Sequence, residues 1–158
     1  LLAENTAKAA ALETGLITHL VQRSLEIKSA IVNQDERESG VRRKLNFGHT
    51  FGHALEKVTG LPHGHAVSIG MVLAARLSRR RGMLSGEDEQ RLRGLLVGLG
   101  LPVQVEFNRE AAMEALGKDK KRAGEEIYFV LLHGLGRAVI ETIPLQELQG
   151  AMEAIRSV

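Results

Sequence analysis

Between Asn46 and Glu56 the chain reads Asn-Phe-Gly-His-Thr-Phe-Gly-His-Ala-Leu-Glu, and its apolar and polar residues separate at a helical period. At 100° per residue, Phe47, Phe51, Ala54, Leu55 and Val58 fall on one side of a helix and Asn46, His49, His53 and Glu56 on the other. A solvated helix face normally carries Lys, Glu and Gln. This one carries two histidines one turn apart, with Gly48 and Gly52 beside them. Each glycine inside a helix costs about 1 kcal/mol relative to alanine. Two of them predict that something approaches the backbone closely, and the segment reads as the wall of a site.

Composition narrows what that site can be. The 158 residues are 44% apolar, enough for one sizeable core. There is no Cys, so a disulfide framework and thiolate ligation are excluded and any metal must use His, Asp or Glu. The longest apolar stretch, 66–75, is far short of the roughly 20 residues a membrane span needs. With no signal peptide at the start, a cytoplasmic location is expected. A net charge of +2 and 3% aromatic residues give no electrostatic footprint and no stacking platform, so no nucleic-acid partner is expected. The chain opens Leu-Leu without Met, in what reads as mid-helix, and we expect a piece of a longer protein.

The fold class read from periodicity is mainly α, with one small β-hairpin. Helical patterning runs over 3–34, with a break near Gly15, and 40–45 reads as a loop leading into a helix over 46–58. Gly60 and Pro62 stop that helix. The next, over 64–80, is apolar nearly all round and therefore central. Ser85 and Asn108 are expected to cap helices ending near Leu99 and Gly117. The β-branched runs 127–132 and 137–143 flank His133-Gly-Leu-Gly136 as a hairpin, and Pro144 opens a last helix.

Two histidines at i, i+4 can bind one metal, as in zincins, although the zincin Glu is replaced by Thr50. His63, just past Pro62, can deliver a further ligand from a neighbouring element. The competing reading is that these histidines cap or hydrogen-bond core carbonyls. His19, His65 and His133 are read as structural or solvated. Lys118-Asp-Lys-Lys-Arg122 reads equally as an anion-binding loop or a solvated charge run. Arg79-Arg-Arg81 reads as a solvated helix end, its cations favoured by the macrodipole. Lys28 reads as an exposed residue on a helix that buries Leu25, Ile27 and Ile31.

Glu26-Ile-Lys28, Asp35-Glu-Arg-Glu38, Arg42-x-x-Leu-Asn46-Phe-Gly-His-Thr-Phe-Gly-His53, His63-Gly64-x-Ala-Val-x-Ile-Gly-Met71 and Asp119-Lys-Lys121 occur here in one order. Together they resemble the C-terminal domain of the 3-dehydroquinate synthase family. The resemblance implies that residues 1–158 form a metal- and substrate-binding helical domain. It also implies an N-terminal NAD-binding domain absent from this chain, so the isolated piece is expected to be inactive. Carried onto this sequence, it makes His49 and His63 ligands of Zn2+ or Co2+ and His53 a hydrogen-bonding or proton-transfer group facing the substrate. Lys28 and Arg42 would hold the substrate carboxylate and ring oxygens. Asn46 with Lys120 or Lys121 would contact its phosphate, and Glu38 matches an acid near the site. The third ligand of the family is a Glu in an upstream Gly-x-Ala-Glu-x-x-Lys motif; Leu2-Ala3-Glu4 mimics it superficially but lacks the paired Lys. One departure is His65, where the family usually has Glu or another polar residue.

The implied reaction converts 3-deoxy-D-arabino-heptulosonate 7-phosphate to 3-dehydroquinate and phosphate. Bound NAD oxidises a hydroxyl transiently, phosphate leaves, the ketone is reduced, and an intramolecular aldol step closes the ring. The partners implied are a small phosphorylated sugar acid and a second copy in a homodimer. The alternatives are another sugar-phosphate cyclase, a metal-dependent glycerol or alcohol dehydrogenase, and a non-enzymatic helical anion-binding module.

Overall fold

A computed structural model describes residues 1–37, 40–118 and 126–153. The described residues are mainly helical, with one two-stranded antiparallel sheet. In chain order they form α1 (Thr6–Ala10), α2 (Thr14–Gln34), a 3-10 turn (Val41–Asn46), α3 (His49–Thr59), α4 (His63–Arg80), α5 (Gly86–Gly98), α6 (Arg109–Lys118), β1 (Glu126–Leu132), β2 (Ala138–Pro144) and α7 (Leu145–Glu153). The hairpin pairs Glu126 with Pro144 and Leu132 with Ala138. No described helix is long and apolar enough to cross a membrane.

α4 is the axis of the structure, as its all-round apolar pattern predicts. It packs on α3, α5, α7 and β1, and buries Ile69, Leu73 and Leu77 in the main core. The apolar side of α3 meets that core as expected: Phe51 and Leu55 are fully buried, and Phe51 stacks edge-on against Phe129 of β1 at 5.2 Å between ring centres. The polar side of the same helix is thereby held outward, and α4 begins beside it.

The expected close approach to the backbone is there, but what approaches is α4 rather than a ligand. A Cβ built on Gly70 would lie 2.0 Å from the Gly48 carbonyl oxygen and 2.7 Å from the Gly52 nitrogen. One built on Gly52 would lie 3.0 Å from Val67 Cα. The three glycines let α3 and α4 pack backbone to backbone, which fixes where His63 stands relative to His49 and His53.

Several local expectations hold. Ser85 Oγ accepts from Asp88 N at 3.0 Å, Asn108 Oδ1 accepts from Ala111 N at 3.0 Å, and Gly60 ends α3 at φ 69°. Others are corrected. The break in the first helical stretch falls at Ala11–Glu13, with Leu12 at φ 55°, and Gly15 is inside α2. The 40–45 loop is a 3-10 turn that ends on Asn46. The histidine helix starts three residues later than expected, because Gly48 adopts φ 81° and separates the two elements. Pro144 closes β2 instead of opening α7. Leu25 and Ile27 are not buried: they are 59% and 54% exposed, because the main contacts of α2 are with α1 and the 3-10 turn.

Arg80 is exposed as expected, but the other two arginines at this helix end are the largest correction. Arg79 donates to Glu89, which is itself buried, at 2.9 Å. Arg81 donates from Nε and Nη2 to both oxygens of Glu147 (2.8 and 2.7 Å) and from Nη1 to Glu141 (2.6 Å), tying the end of α4 to β2 and α7. Its bond to Arg81 holds the Glu147 carboxyl below the ordinary range. A carboxyl with a lowered folded pKa stabilises the fold above its unfolded value and loses that contribution as pH falls through the folded one. Arg81→Ala is therefore expected to cost about 1 kcal/mol at pH 7, discounted for partial exposure, and to flatten the loss of stability below about pH 4.5. Urea unfolding at pH 7 and at pH 3 checks this; equal pH dependence in both proteins would contradict it.

Candidate metal and substrate site

α3 delivers His49 and His53 on successive turns, and His63 arrives as the first residue of α4 after the stop at Gly60 and Pro62. The three rings meet. Their centres lie 5.6 Å (His49 to His53), 5.5 Å (His49 to His63) and 5.7 Å (His53 to His63) apart.

Hydrogen bonds fix the state of two of the rings. His49 Nδ1 lies 3.3 Å from the Phe47 carbonyl, and His63 Nδ1 lies 3.0 Å from Glu56 Oε2. A carbonyl or carboxylate oxygen can only accept, so each Nδ1 carries a proton and Nε2 is the nitrogen left to act as a metal donor when the ring is neutral. Burial pushes the His49 pKa below the ordinary value; the Phe47 carbonyl opposes that and the neighbouring His53 and His63 rings add to it. The His49 ring is therefore neutral at neutral pH. Among the described residues, the ligand atoms of His53, Glu56 and His63 all lie within 4.8 Å of one another. His49 belongs to the ring triangle without belonging to that tighter set. Three imidazoles beside a carboxylate suit Zn2+ or Co2+ by donor type.

Beside the rings is a cavity of about 180 Å³ lined by Asn46, His49, Thr50, His53, Ala54, Ala115 and Leu116, so α6 forms its far wall. Asn46 reaches this cavity from the 3-10 turn and not as the first residue of the helix. Lys28 and Arg42 do not line it. Lys28 is exposed on α2; Arg42 donates from its backbone nitrogen to Asp35 Oδ2 (3.0 Å) and from Nη1 to the Glu36 carbonyl (2.8 Å). Glu38, Lys120 and Lys121 lie outside the described residues. His19, His65 and His133 are exposed and apart from the cluster. The bond between Glu56 and His63 joins two helices and is not legible in local sequence, although Glu56 stands three residues past His53 on the same face.

A family model described as 3-dehydroquinate synthase C-terminal matches residues 1–122. The chain belongs to this family. Over 132 residues it is 44% identical to the 3-dehydroquinate synthase of Nitrosospira multiformis, covering 81% of this chain and 36% of that protein. Over 136 residues it is 47% identical to that of Rhodopseudomonas palustris, covering 77% of this chain and 36% of that protein. The chain thus spans little more than a third of the length of these synthases.

The same fold occurs in two solved structures. One is 2-epi-5-epi-valiolone synthase from Streptomyces hygroscopicus subsp. jinggangensis 5008, with NAD+ and Zn2+ bound (TM-score 0.79, 24% identity, 97% of this chain and 45% of that one). The other is 2-deoxy-scyllo-inosose synthase complexed with carbaglucose-6-phosphate, NAD+ and Co2+ (TM-score 0.69, 22% identity, 80% and 39%). At these identities the likeness is one of fold.

Proposed function

We propose that this chain is the metal- and substrate-binding domain of a 3-dehydroquinate synthase, which converts 3-deoxy-D-arabino-heptulosonate 7-phosphate to 3-dehydroquinate and phosphate. The observation that carries the reading is the meeting of His49, His53 and His63 from two helices, in a chain of this family. His49 and His63 hold the ion through Nε2, each ring anchored by the hydrogen bond at its Nδ1. Bound Zn2+ or Co2+ supplies Lewis acidity, lowering the pKa of the hydroxyl to be oxidised.

His53 is the third ring of the cluster, lines the cavity and makes no ring-nitrogen hydrogen bond among the described residues. It is free to bond to the substrate and move a proton there. Asn46 lines the same cavity and in this reading contacts the phosphate with Lys120 or Lys121, with Glu38 a further acid of the site; Arg42 and Lys28, which stand away from this cavity, would hold the carboxylate and ring oxygens of the part of the substrate that extends beyond it. In this reading the chain supplies one wall of the site, around the cavity of about 180 Å³. The described residues contain no strand, glycine-rich turn and helix for a dinucleotide, their two strands being an antiparallel hairpin. In this reading NAD is bound mainly by another domain of the full-length protein.

Turnover separates this function from its alternatives. The intact protein with catalytic NAD should release one phosphate per 3-dehydroquinate formed, with no net NADH. NADH accumulation without phosphate release would make it a polyol dehydrogenase, and anion binding without turnover a binding module. Lys120→Ala or Lys121→Ala should lower kcat/KM by about 10²-fold, the scale for losing one contact to the charge that grows on the leaving phosphate. Wild-type kinetics in both variants would mean that the loop is only a charged surface.

A further inference from the structure

Glu56 has no task in the reaction just described, yet it makes an anchoring contact to His63. It comes from the last turns of α3, and its Oε2 accepts from His63 Nδ1 at 3.0 Å across the stop between the helices. His63 needs such a contact. It is the first residue of α4 and its side chain is 54% exposed, so packing does not hold its ring. His49 has the equivalent anchor in the Phe47 carbonyl.

We propose that Glu56 is the positioning residue of the metal centre: by taking the Nδ1 proton of His63 in a hydrogen bond it aims Nε2 at the ion and makes that nitrogen a stronger donor. This rests on the reading of His63 as a ligand. A direct role for Glu56 as ligand is the competing arrangement, since its oxygens lie within 4.8 Å of donor atoms of His53 and His63. The bond already formed favours the positioning role, because coordination through Oε2 would compete with the Nδ1–H for the same oxygen.

The test uses the intact protein, with Zn2+ or Co2+ alone as probe and a chromophoric chelator as competitor. Glu56→Ala should weaken Zn2+ binding by about 10–100-fold, the usual loss for removing such a partner. Glu56→Gln should lose less, because its amide oxygen still accepts from Nδ1. The metal-free melting temperature should stay unchanged in both. The Co2+ absorption bands should keep their positions and intensity, because the ligand set is intact. Wild-type affinity in Glu56→Ala overturns the proposal. So does a Co2+ spectrum of altered coordination number, which would make Glu56 a ligand. Wild-type affinity in His63→Ala sinks the metal reading itself, a distinguishable failure.

Discussion

Gly70→Ala is expected to destabilise the fold by about 3 kcal/mol or more, the upper range for overpacking a core. The added carbon would sit 2.0 Å from the Gly48 oxygen and 2.7 Å from the Gly52 nitrogen. Both are backbone atoms of the α3 start, so no side chain can turn aside; the helices must separate. Their packing is the most extensive helix–helix contact among the described elements and it carries Phe51 and Leu55 into the core. Separation would also draw His63 away from His49 and His53, so metal affinity should fall with stability. Gly94→Ala is the control: it sits on the exposed side of α5 with nothing within 4 Å of the added carbon. That change should stabilise by about 0.5–1 kcal/mol through helix propensity alone. Urea unfolding of the two variants decides, and equal stabilities would contradict the packing argument.

Replacing either His49 or His63 with alanine is expected to lower kcat/KM of the intact protein by at least about 10³-fold, some 4 kcal/mol of transition-state stabilisation. Each removal leaves the ion with one fewer imidazole and removes the ring whose Nδ1 is anchored. His53→Ala should also lower kcat, through proton transfer and substrate contact, by the smaller 10²-fold or so typical of general acid–base groups. Added Zn2+ should partly rescue the first two variants and leave the third unchanged. Rescue of His53→Ala by metal would reverse the assignment.

Much of this was legible from local chemistry. The Ser85 and Asn108 caps and the stop at Gly60 rest on contacts within a few residues, and the two faces of the histidine helix and the hairpin are written in local residue periodicity; such signals survive folding. What local reasoning could not supply is the neighbour across space. Gly48 and Gly52 announced a close approach, but only the packed structure says that Gly70 of α4 makes it. Arg81 looks like any cation at a helix end until Glu141 and Glu147 arrive from 60 and 66 residues away. Asn46 has the phase of that helix face, yet the backbone at Gly48 turns left-handed and leaves it on the preceding turn. Leu25 and Ile27 carry the apolar pattern of a buried helix, yet no described element covers them. The role of Glu56 was hidden for the same reason: its partner, His63, comes from another helix.

The central claim is that two of the three clustered histidines hold an ion and the third faces the substrate. Zn2+ dissociation constants for the intact protein and its His49→Ala, His53→Ala and His63→Ala variants test it most directly. The account predicts that loss of His49 or His63 weakens binding far more than loss of His53, which stays near wild type. Wild-type affinity in His63→Ala, with binding abolished in His53→Ala, would contradict it.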